Sequence, residues 1–117
     1  MFNITRIYSD QNGDSHFEDR AIVLKETGPI GFLSEPAPAK DIIFREVLPS
    51  YDFDFHNAPQ RQYIILLDGE IEIETSLGDT RRFKAGEILL VEDIEGKGHR
   101  TKNLQPIKRK SIFISIP

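Results

Sequence analysis

An all-β sandwich or barrel is the fold class that the sequence predicts. About eight or nine short apolar runs follow one another at regular spacing, and none of the 117 residues falls in a convincing helical pattern. An Asp68-Gly69 pair joins two of these runs. This pair is the strongest short signal of a β-hairpin, because the two residues of a type I′ hairpin turn must both accept positive φ. Several runs also alternate polar with apolar residues, which is the period of a strand with two different faces.

The strands are assigned to these runs in chain order. The first run follows a polar opening, and the second is closed by Pro49-Ser50, where proline cannot donate to a ladder. The third run alternates aromatic with acidic or imidazole residues, and the last alternates Ser with Ile. Turns at Leu77-Gly78-Asp79 and Ala85-Gly86-Glu87 separate the later runs. The predicted strands cover residues 21–24, 42–48, 51–56, 62–67, 70–75, 81–84, 88–91 and 111–116.

Residues 1–117 are predicted to form a single β-barrel domain, because a chain of this length buries one modest core. A polar N-terminal arm covers about residues 1–20. Residues 28–40 form a loop rich in Pro and Gly, which weaken or prevent ladder pairing. This loop either connects two strands or covers the barrel mouth as a flap. In the second case its apolar underside consists of Ile30, Phe32 and Leu33.

Composition excludes several classes of function. The chain has no cysteine, which excludes disulfides, thiol nucleophiles and thiolate metal sites. A net charge of −4 disfavours a nucleic-acid partner, and the cluster Lys108-Arg109-Lys110 is interpreted as solvated charge beside a strand. No apolar run approaches the ~20 residues that cross a bilayer, and the N-terminus lacks the order of a signal peptide. We therefore expect a cytoplasmic protein without membrane contact.

The run from Tyr63 to Leu67 is apolar on both faces of the predicted strand. Such a strand is buried once by the barrel interior and once by something outside it. A second copy of the chain is the simplest cover, so we expect a homodimer.

The candidate site combines two histidines that each adjoin an apolar run. On a regular strand Asp52, Asp54 and His56 share one face, so Asp54 faces the interior with His56 unless a bulge intervenes. Gln62 begins the next run, and His99 approaches from a later loop after Gly96 and Gly98. Two imidazoles and a carboxylate inside a barrel suit iron, manganese, nickel or zinc. Either histidine alone would more often be a structural residue held by a hydrogen bond.

In these residues the chain resembles the cupin superfamily of small single-domain barrels. The first cupin motif runs Gly, five residues, His-x-His, three or four residues, Glu, six residues, Gly. Here His56 matches the first His, Ala58 stands at the second, Gln62 replaces the Glu, and Gly69 matches the last Gly. The second motif ends in His-x-x-x-Asn. That ending is matched by His99 and Asn103 after a starting Gly86, with Glu92 in place of the motif Pro.

The resemblance implies a double-stranded β-helix, or jelly-roll barrel, and a divalent metal held by three His and one Glu. Carried over by residue, this chain keeps His56 and His99, has Gln62 for the Glu and lacks the His at Ala58. An amide oxygen is a neutral and weaker ligand than a carboxylate. Asp54 is the candidate that would restore the missing charge. His16 is a further candidate ligand, although a surface or dimer contact is its simpler interpretation.

Three hypotheses follow for the activity. The first is a metal-dependent enzyme acting on a small polar organic molecule, with His56, His99 and either Gln62 or Asp54 as ligands. The second is a metal-free barrel that binds or senses a small molecule without catalysis. The third is a degenerate barrel with a structural polar interior. The remaining polar residues are expected on the surface, namely Arg61, Lys97, Arg100, Glu70, Glu72 and Glu74.

Overall fold

The computed structural model describes all residues from Met1 to Pro117 and consists almost entirely of β-strands. Its only helical element is one 3-10 turn at Gly28–Ile30, and it contains no helix with the length and apolarity to span a membrane. The strands are β1 Phe2–Ser9, β2 Ser15–Ile22, β3 Lys25–Glu26, β4 Phe32–Leu33, β5 Ile42–Val47, β6 Asp52–His56, β7 Gln62–Leu66, β8 Glu70–Thr75, β9 Thr80–Lys84, β10 Ile88–Val91, β11 His99–Asn103 and β12 Arg109–Ser115.

The strands form two large sheets and one short ribbon. A six-stranded sheet has the order β2-β1-β10-β7-β12-β5, and a four-stranded sheet has the order β6-β11-β8-β9. All pairs are antiparallel except β1 with β10, and β3 pairs only with β4. The all-β class predicted from the sequence is therefore confirmed, with two open sheets.

The two sheets pack face to face around an apolar core. The core takes residues from both sheets, and its buried members are Ile7, Ala58, Leu66, Ile71, Ile73, Phe83, Leu89 and Val91. Strand β8 contributes to the core through the alternation of its sequence. Every second residue faces the core, so Ile71 and Ile73 are buried. Glu70, Glu72 and Glu74 lie on the opposite, partly exposed face, as the alternation predicts.

The prediction that Asp68-Gly69 closes a hairpin is wrong. Strands β7 and β8 lie in different sheets and do not pair. Gly69 has a φ of 70°, but no residue other than glycine has positive φ, so the pair cannot form the turn that requires it at both positions. The connection instead carries the chain from one sheet to the other. The hairpin of the four-stranded sheet lies one turn later, where Gly78 joins β8 to β9.

Two polar segments form strands that the pattern of apolar runs missed. The segment expected to be an N-terminal arm pairs with itself as β1 and β2, from Phe2↔Ile22 to Ser9↔Ser15. Strand β11 reads His-Arg-Thr-Lys-Asn and carries no apolar alternation. It is nevertheless held between β6 and β8 by backbone pairing on both sides. Neighbouring strands therefore decide its structure, and its own hydrophobicity does not.

The loop over residues 28–40 lies away from the interior of the sandwich. Ser34 to Ala37 pack on the outer face of the six-stranded sheet, where they enclose an apolar groove with Tyr63 and Ile65. Ile30, Phe32 and Leu33 are exposed. The expectation of a flap over the barrel mouth is therefore wrong, and the connecting-loop interpretation fits. The amide of Lys40 donates to Ser115 O, which leads the chain into β5.

Candidate functional site

A cavity of about 190 Å³ lies between the two sheets and holds the chemistry-bearing residues of the interior. Most of its walls are apolar, as is usual for small-molecule pockets. The side chains with polar groups that line it are His56, Gln62, His99, Thr101, Arg45 and Tyr51. Three of the four predicted site residues thus share one cavity.

A bulge in β6 brings His56 into this cavity. His99 pairs with His56, but Thr101 pairs with Phe53, so between these pairs two residues of β6 oppose the single residue Arg100 of β11. Because of the extra residue, Phe53 and His56 both line the cavity, and their rings stack with centroids 3.8 Å apart. Regular alternation would have turned these two side chains to opposite faces of the sheet.

Asp54 does not join the site. It lies exposed within the bulge and is not part of the cavity lining. Its carboxylate accepts a hydrogen bond from the amide of Phe55 at 2.8 Å. The expected common face of Asp54 and His56 is therefore absent, and the structure gives no support to Asp54 as the carboxylate ligand. Ala58, at the position of the missing motif histidine, lines the cavity and is buried.

His99 is held by a buried carboxylate. Its ring is 4% exposed, and Nδ1 lies 2.6 Å from Oδ2 of the fully buried Asp93. Ser15 donates its hydroxyl to the same oxygen at 2.8 Å. Because a carboxylate only accepts hydrogen bonds, Nδ1 of His99 must carry the proton. In the neutral ring Nε2 is then an acceptor with no hydrogen bond to the protein.

The tautomer of His56 is likewise fixed by its hydrogen-bond partner. Its Nδ1 lies 2.8 Å from the carbonyl oxygen of Asp54, which can only accept, so Nε2 is again the free acceptor. Burial lowers the pKa of His56 below its ordinary value of 6.5, and the neighbouring His99 acts in the same direction. His56 is therefore neutral at physiological pH. The ring centroids of His56 and His99 lie 4.7 Å apart. The two acceptor nitrogens are therefore close neighbours in the cavity.

Gln62 adds an amide to this region. It is 3% exposed at the start of β7, and its Oε1 is buried without a hydrogen-bond donor. Since a half-turn of the amide exchanges its oxygen and nitrogen, Gln62 can offer a ligand either an acceptor or a donor. A buried amide without a partner is costly in a structural role, so this side chain is suited to contact a bound molecule.

The remaining predicted candidates lie elsewhere. His16 contacts Asp10 through Nε2 at 2.6 Å on the outer strand pair β1–β2. Arg61 pairs with Glu92, Lys97 with Asp14 and Arg100 with Asp52. None of these side chains lines the cavity. The surface roles expected for the three cations agree with these positions, and His16 is not brought to His56 and His99.

Sequence reasoning missed several residues of the interior. Asp93 lies in a loop of mixed polarity, and nothing in its neighbourhood marked it as the partner of His99. Arg45 and Tyr51 line the cavity from β5 and the following turn. Arg109, interpreted as solvated charge, is 1% exposed, so that prediction is wrong. The only available signal was its register in β12, where Arg109, Ser111 and Phe113 share one face.

This arrangement can accept a hydrogen bond or a proton from a small molecule. Nε2 of His99 is the stronger candidate, since Asp93 orients the ring and fixes its tautomer as the carboxylate does in a His–Asp pair. No group of three His, Cys, Asp or Glu side chains is placed to hold a metal ion. The cavity therefore offers two imidazoles and one amide, without a carboxylate that could bind a cation directly.

Comparisons with known proteins give a weak structural likeness. No protein-family model matches the chain, and no curated protein matches it. One similar solved structure comes from Salmonella typhimurium LT2, with the provisional name ethanolamine utilization protein Q. The alignment covers 100% of this chain and 97% of that chain, at 12% identity and a TM-score of 0.37. A likeness of this size assigns neither a family nor an activity.

Proposed function

We propose that this chain is a cupin-like barrel that binds a small polar organic molecule between its two sheets. The observation that carries this proposal is the pair of acceptor nitrogens, Nε2 of His56 and of His99, beside a mainly apolar cavity. A ligand that donates a hydrogen bond from a hydroxyl, amine or amide group complements both nitrogens. The amide of Gln62 completes the polar end of the site, and the cupin motif residues support the same location.

The sequence hypothesis of a metal site completed by Asp54 is the weaker one. Iron and manganese favour at least one carboxylate ligand, and the interior presents none to the imidazole pair. The donor set of His56, His99 and Gln62 is neutral throughout. A cation would need a negative ligand for compensation, but a molecule with hydrogen-bond donors does not. Such a molecule therefore fits these three neutral side chains directly.

One observation nevertheless favours a metal as a second candidate. Two imidazoles that share one ion through Nε2 at about 2.1 Å place their ring centres roughly 5 Å apart, close to the 4.7 Å found here. Each Nδ1 also donates to an oxygen, as it does in metal-binding histidines. Zinc and nickel are the ions that suit imidazole ligands. Such an ion would act as a Lewis acid on a bound molecule.

Direct binding measurements test the proposed function. We expect thermal stabilisation by members of a panel of small hydroxy acids, amino acids and their amides, in protein stripped of metal. His99→Gln and His56→Gln should weaken that binding by about tenfold each, since each loses a hydrogen bond worth roughly 1–2 kcal/mol. His16→Gln is the matched control and should bind like the wild type. Stabilisation that is unchanged in both site variants would contradict the proposal.

Titration with zinc or nickel alone separates the two candidates. The proposal expects no stoichiometric, tight metal binding by the wild-type protein. Stoichiometric binding that is lost in His56→Gln and in His99→Gln would instead support the metal-dependent alternative.

A further inference from the structure

Arg109 is a buried cation without a salt bridge, and the attraction of Asp68 only partly offsets its burial. Its side chain is 1% exposed, and both terminal nitrogens, Nη1 and Nη2, are buried without an acceptor. Only Nε donates a hydrogen bond, to Oδ1 of Asn103 at 2.8 Å. No carboxylate forms a salt bridge with Arg109, although Lys and Arg side chains form eleven such contacts elsewhere in the protein. A buried, unpaired guanidinium is unfavourable unless an anion approaches it.

Arg45 places a second cation beside the first. It pairs with Ser111 across β5 and β12, two residues from Arg109, so both arginines face the interior. The guanidinium carbons of Arg45 and Arg109 lie 5.4 and 5.6 Å from the ring centroid of Tyr51. Arg45 also lacks a salt bridge, and its Nε donates to the hydroxyl of Ser111 at 3.1 Å. Arg45 lines the cavity, while Arg109 lies behind the lining.

The fold holds Arg109 in place. A side chain at Gly69 would approach its Cγ and Cδ to within 3.3 Å, so glycine leaves room for the arginine to pass. Asn103, which accepts from Arg109, donates in turn to the carbonyl of Leu48 at 3.1 Å. Burial lowers the pKa of Arg109 to about 10, and the charge of Arg45 contributes to the shift. The group is thus still protonated at neutral pH and keeps its positive charge.

We propose that Arg45 and Arg109 select a carboxylate on the molecule that occupies the cavity. Arg45 binds the carboxylate through its guanidinium, and the buried charge of Arg109 strengthens the attraction at short range. This inference rests on the proposed function. It specifies the ligand as a small organic acid that also donates a hydrogen bond to the imidazole pair.

The lining of the cavity favours a carboxylate on a carbon skeleton over inorganic phosphate. The planar guanidinium fork pairs with two oxygens of either anion. Arg45 is flanked by aromatic rings, with its guanidinium carbon 4.4 Å from the centroid of Phe113, which fixes the plane of the fork. Most of the cavity lining is apolar, so it suits the carbon skeleton of an organic acid better than the additional oxygens of a phosphate.

Matched acids and amides test the charge preference directly. The probes are acetate, 4-hydroxybutyrate, benzoate and 4-hydroxybenzoate, each compared with its primary amide, and inorganic phosphate. For the tightest pair, the acid should bind the wild-type protein about tenfold or more tightly than the amide, as expected for a charge-assisted hydrogen bond. Equal affinity for acid and amide in every pair, or tighter binding of phosphate than of any acid, would overturn the inference.

Variants of Arg45 and Arg109 test whether these two residues cause the preference for the acid over the amide. Arg45→Gln should abolish the preference for the acid. Arg109→Gln should reduce it, and Arg109→Lys should restore much of it, because the charge and not the hydrogen bond to Asn103 is responsible. Arg82→Gln, an exposed arginine of β9, is the control and should retain the full preference. A preference for the acid that survives Arg45→Gln would refute the assignment. This comparison tests the proposal even if an Arg109 variant fails to fold.

The same probes distinguish failure of this inference from failure of the proposed function. If amides bind as tightly as acids and still lose affinity in His99→Gln, the cavity binds small molecules but the carboxylate assignment is wrong. If neither acids nor amides bind to the cavity, both proposals fail.

Discussion

The two histidines of the cavity differ in how the surrounding residues hold them. His99 is almost fully buried and bonded to the carboxylate of Asp93, whereas His56 is half-buried, stacks on Phe53 and bonds to a backbone carbonyl. His99 is therefore the better oriented acceptor. His56 has no carboxylate partner, so its charged form lacks compensation, and the molecule keeps it neutral.

The depressed pKa of His56 predicts a loss of stability on acidification. Below the unfolded pKa of about 6.5 the unfolded chain binds a proton that the folded protein resists, so the free energy of unfolding falls as pH decreases towards the folded pKa. Above 6.5 this contribution is complete. His56→Gln should flatten the pH dependence just below 6.5, measured by denaturant unfolding. An unchanged slope in the variant would contradict the assignment.

Glu92 sets the lower limit of the pH range in which the effect of His56 is measured. Burial raises the pKa of Glu92, but hydrogen bonds from Arg6 and Arg61 outweigh burial, and the net effect lowers the pKa from its ordinary 4.5. The stability from Glu92 is present above 4.5 and is lost as the pH falls through the folded pKa. Within the range from 4.5 to 6.5, the difference in slope between the wild type and His56→Gln therefore reports on His56.

At the residue scale the sequence predicted only part of the site. His56, Gln62 and His99 carry motif positions and meet in one cavity. Asp54 does not reach it, because a single inserted residue in β6 reverses the alternation on which the prediction rested. Arg109 stood between two lysines, and a charge cluster does not reveal which member points inward. Its charge costs the folded state roughly 3 kcal/mol if the pKa is lowered to about 10.

At the scale of the elements, the pairing of β6 with β11 determines the site. His56 and His99 are direct partners across the two strands, next to the bulge. Gly98 precedes His99 with a φ of 74°, and a side chain there would overlap the carbonyl oxygen of His56. The close approach of the two strands thus depends on glycine at this position.

Substitution of Gly98 should disrupt the histidine pair. We expect Gly98→Ala to separate β11 from β6 and to lower stability by more than the roughly 1–2 kcal/mol cost of a left-handed conformation alone. Gly78→Ala is the matched control, since Gly78 has a φ of 87° and open space around it. Thermal unfolding and nuclear Overhauser contacts between the two imidazoles provide the measurements. Equal destabilisation by both substitutions, with the ring contacts intact, would contradict this explanation.

The strands themselves were predictable where apolar residues alternate or cluster, as in β5, β7, β8, β10 and β12. Strand β11 has no such pattern and is a strand because its backbone pairs with neighbours on both sides. The Asp68-Gly69 connection was misassigned for a different reason. A hairpin and a crossover between sheets can use the same two residues, and only the tertiary structure distinguishes them.

At the scale of the whole molecule, an apolar row crosses the outer face of the six-stranded sheet. Phe44, Ile112, Ile65 and Ile88 are successive cross-strand partners in this row. Phe44 is 75% exposed on the edge strand β5. The loop residues Ser34 to Ala37 cover only part of this face, and an apolar groove of about 500 Å³ remains there. Exposed apolar surface of this kind marks an interaction site.

We expect this outer face to form the interface of the homodimer predicted from the sequence. Phe44→Asp should then shift the protein to a monomer, because it places a charge in the contact. Leu77→Asp, at an exposed leucine of the β8–β9 turn, should not change the assembly. Sedimentation velocity distinguishes the two results. A wild-type protein that sediments as a monomer, or a Phe44→Asp variant that remains a dimer, would contradict this expectation.

The polar groups of the interior offer two kinds of contact. His56 and His99 present acceptor nitrogens, and Arg45, backed by Arg109, presents a positive charge to the same mainly apolar cavity. A crystal structure of the protein grown with its most stabilising acid probe tests this account most directly. We predict that the carboxylate contacts Arg45 and that the hydrogen-bond donor of the same ligand contacts an imidazole Nε2. An acid bound outside the cavity, or bound inside it with its carboxylate away from Arg45, would contradict the account.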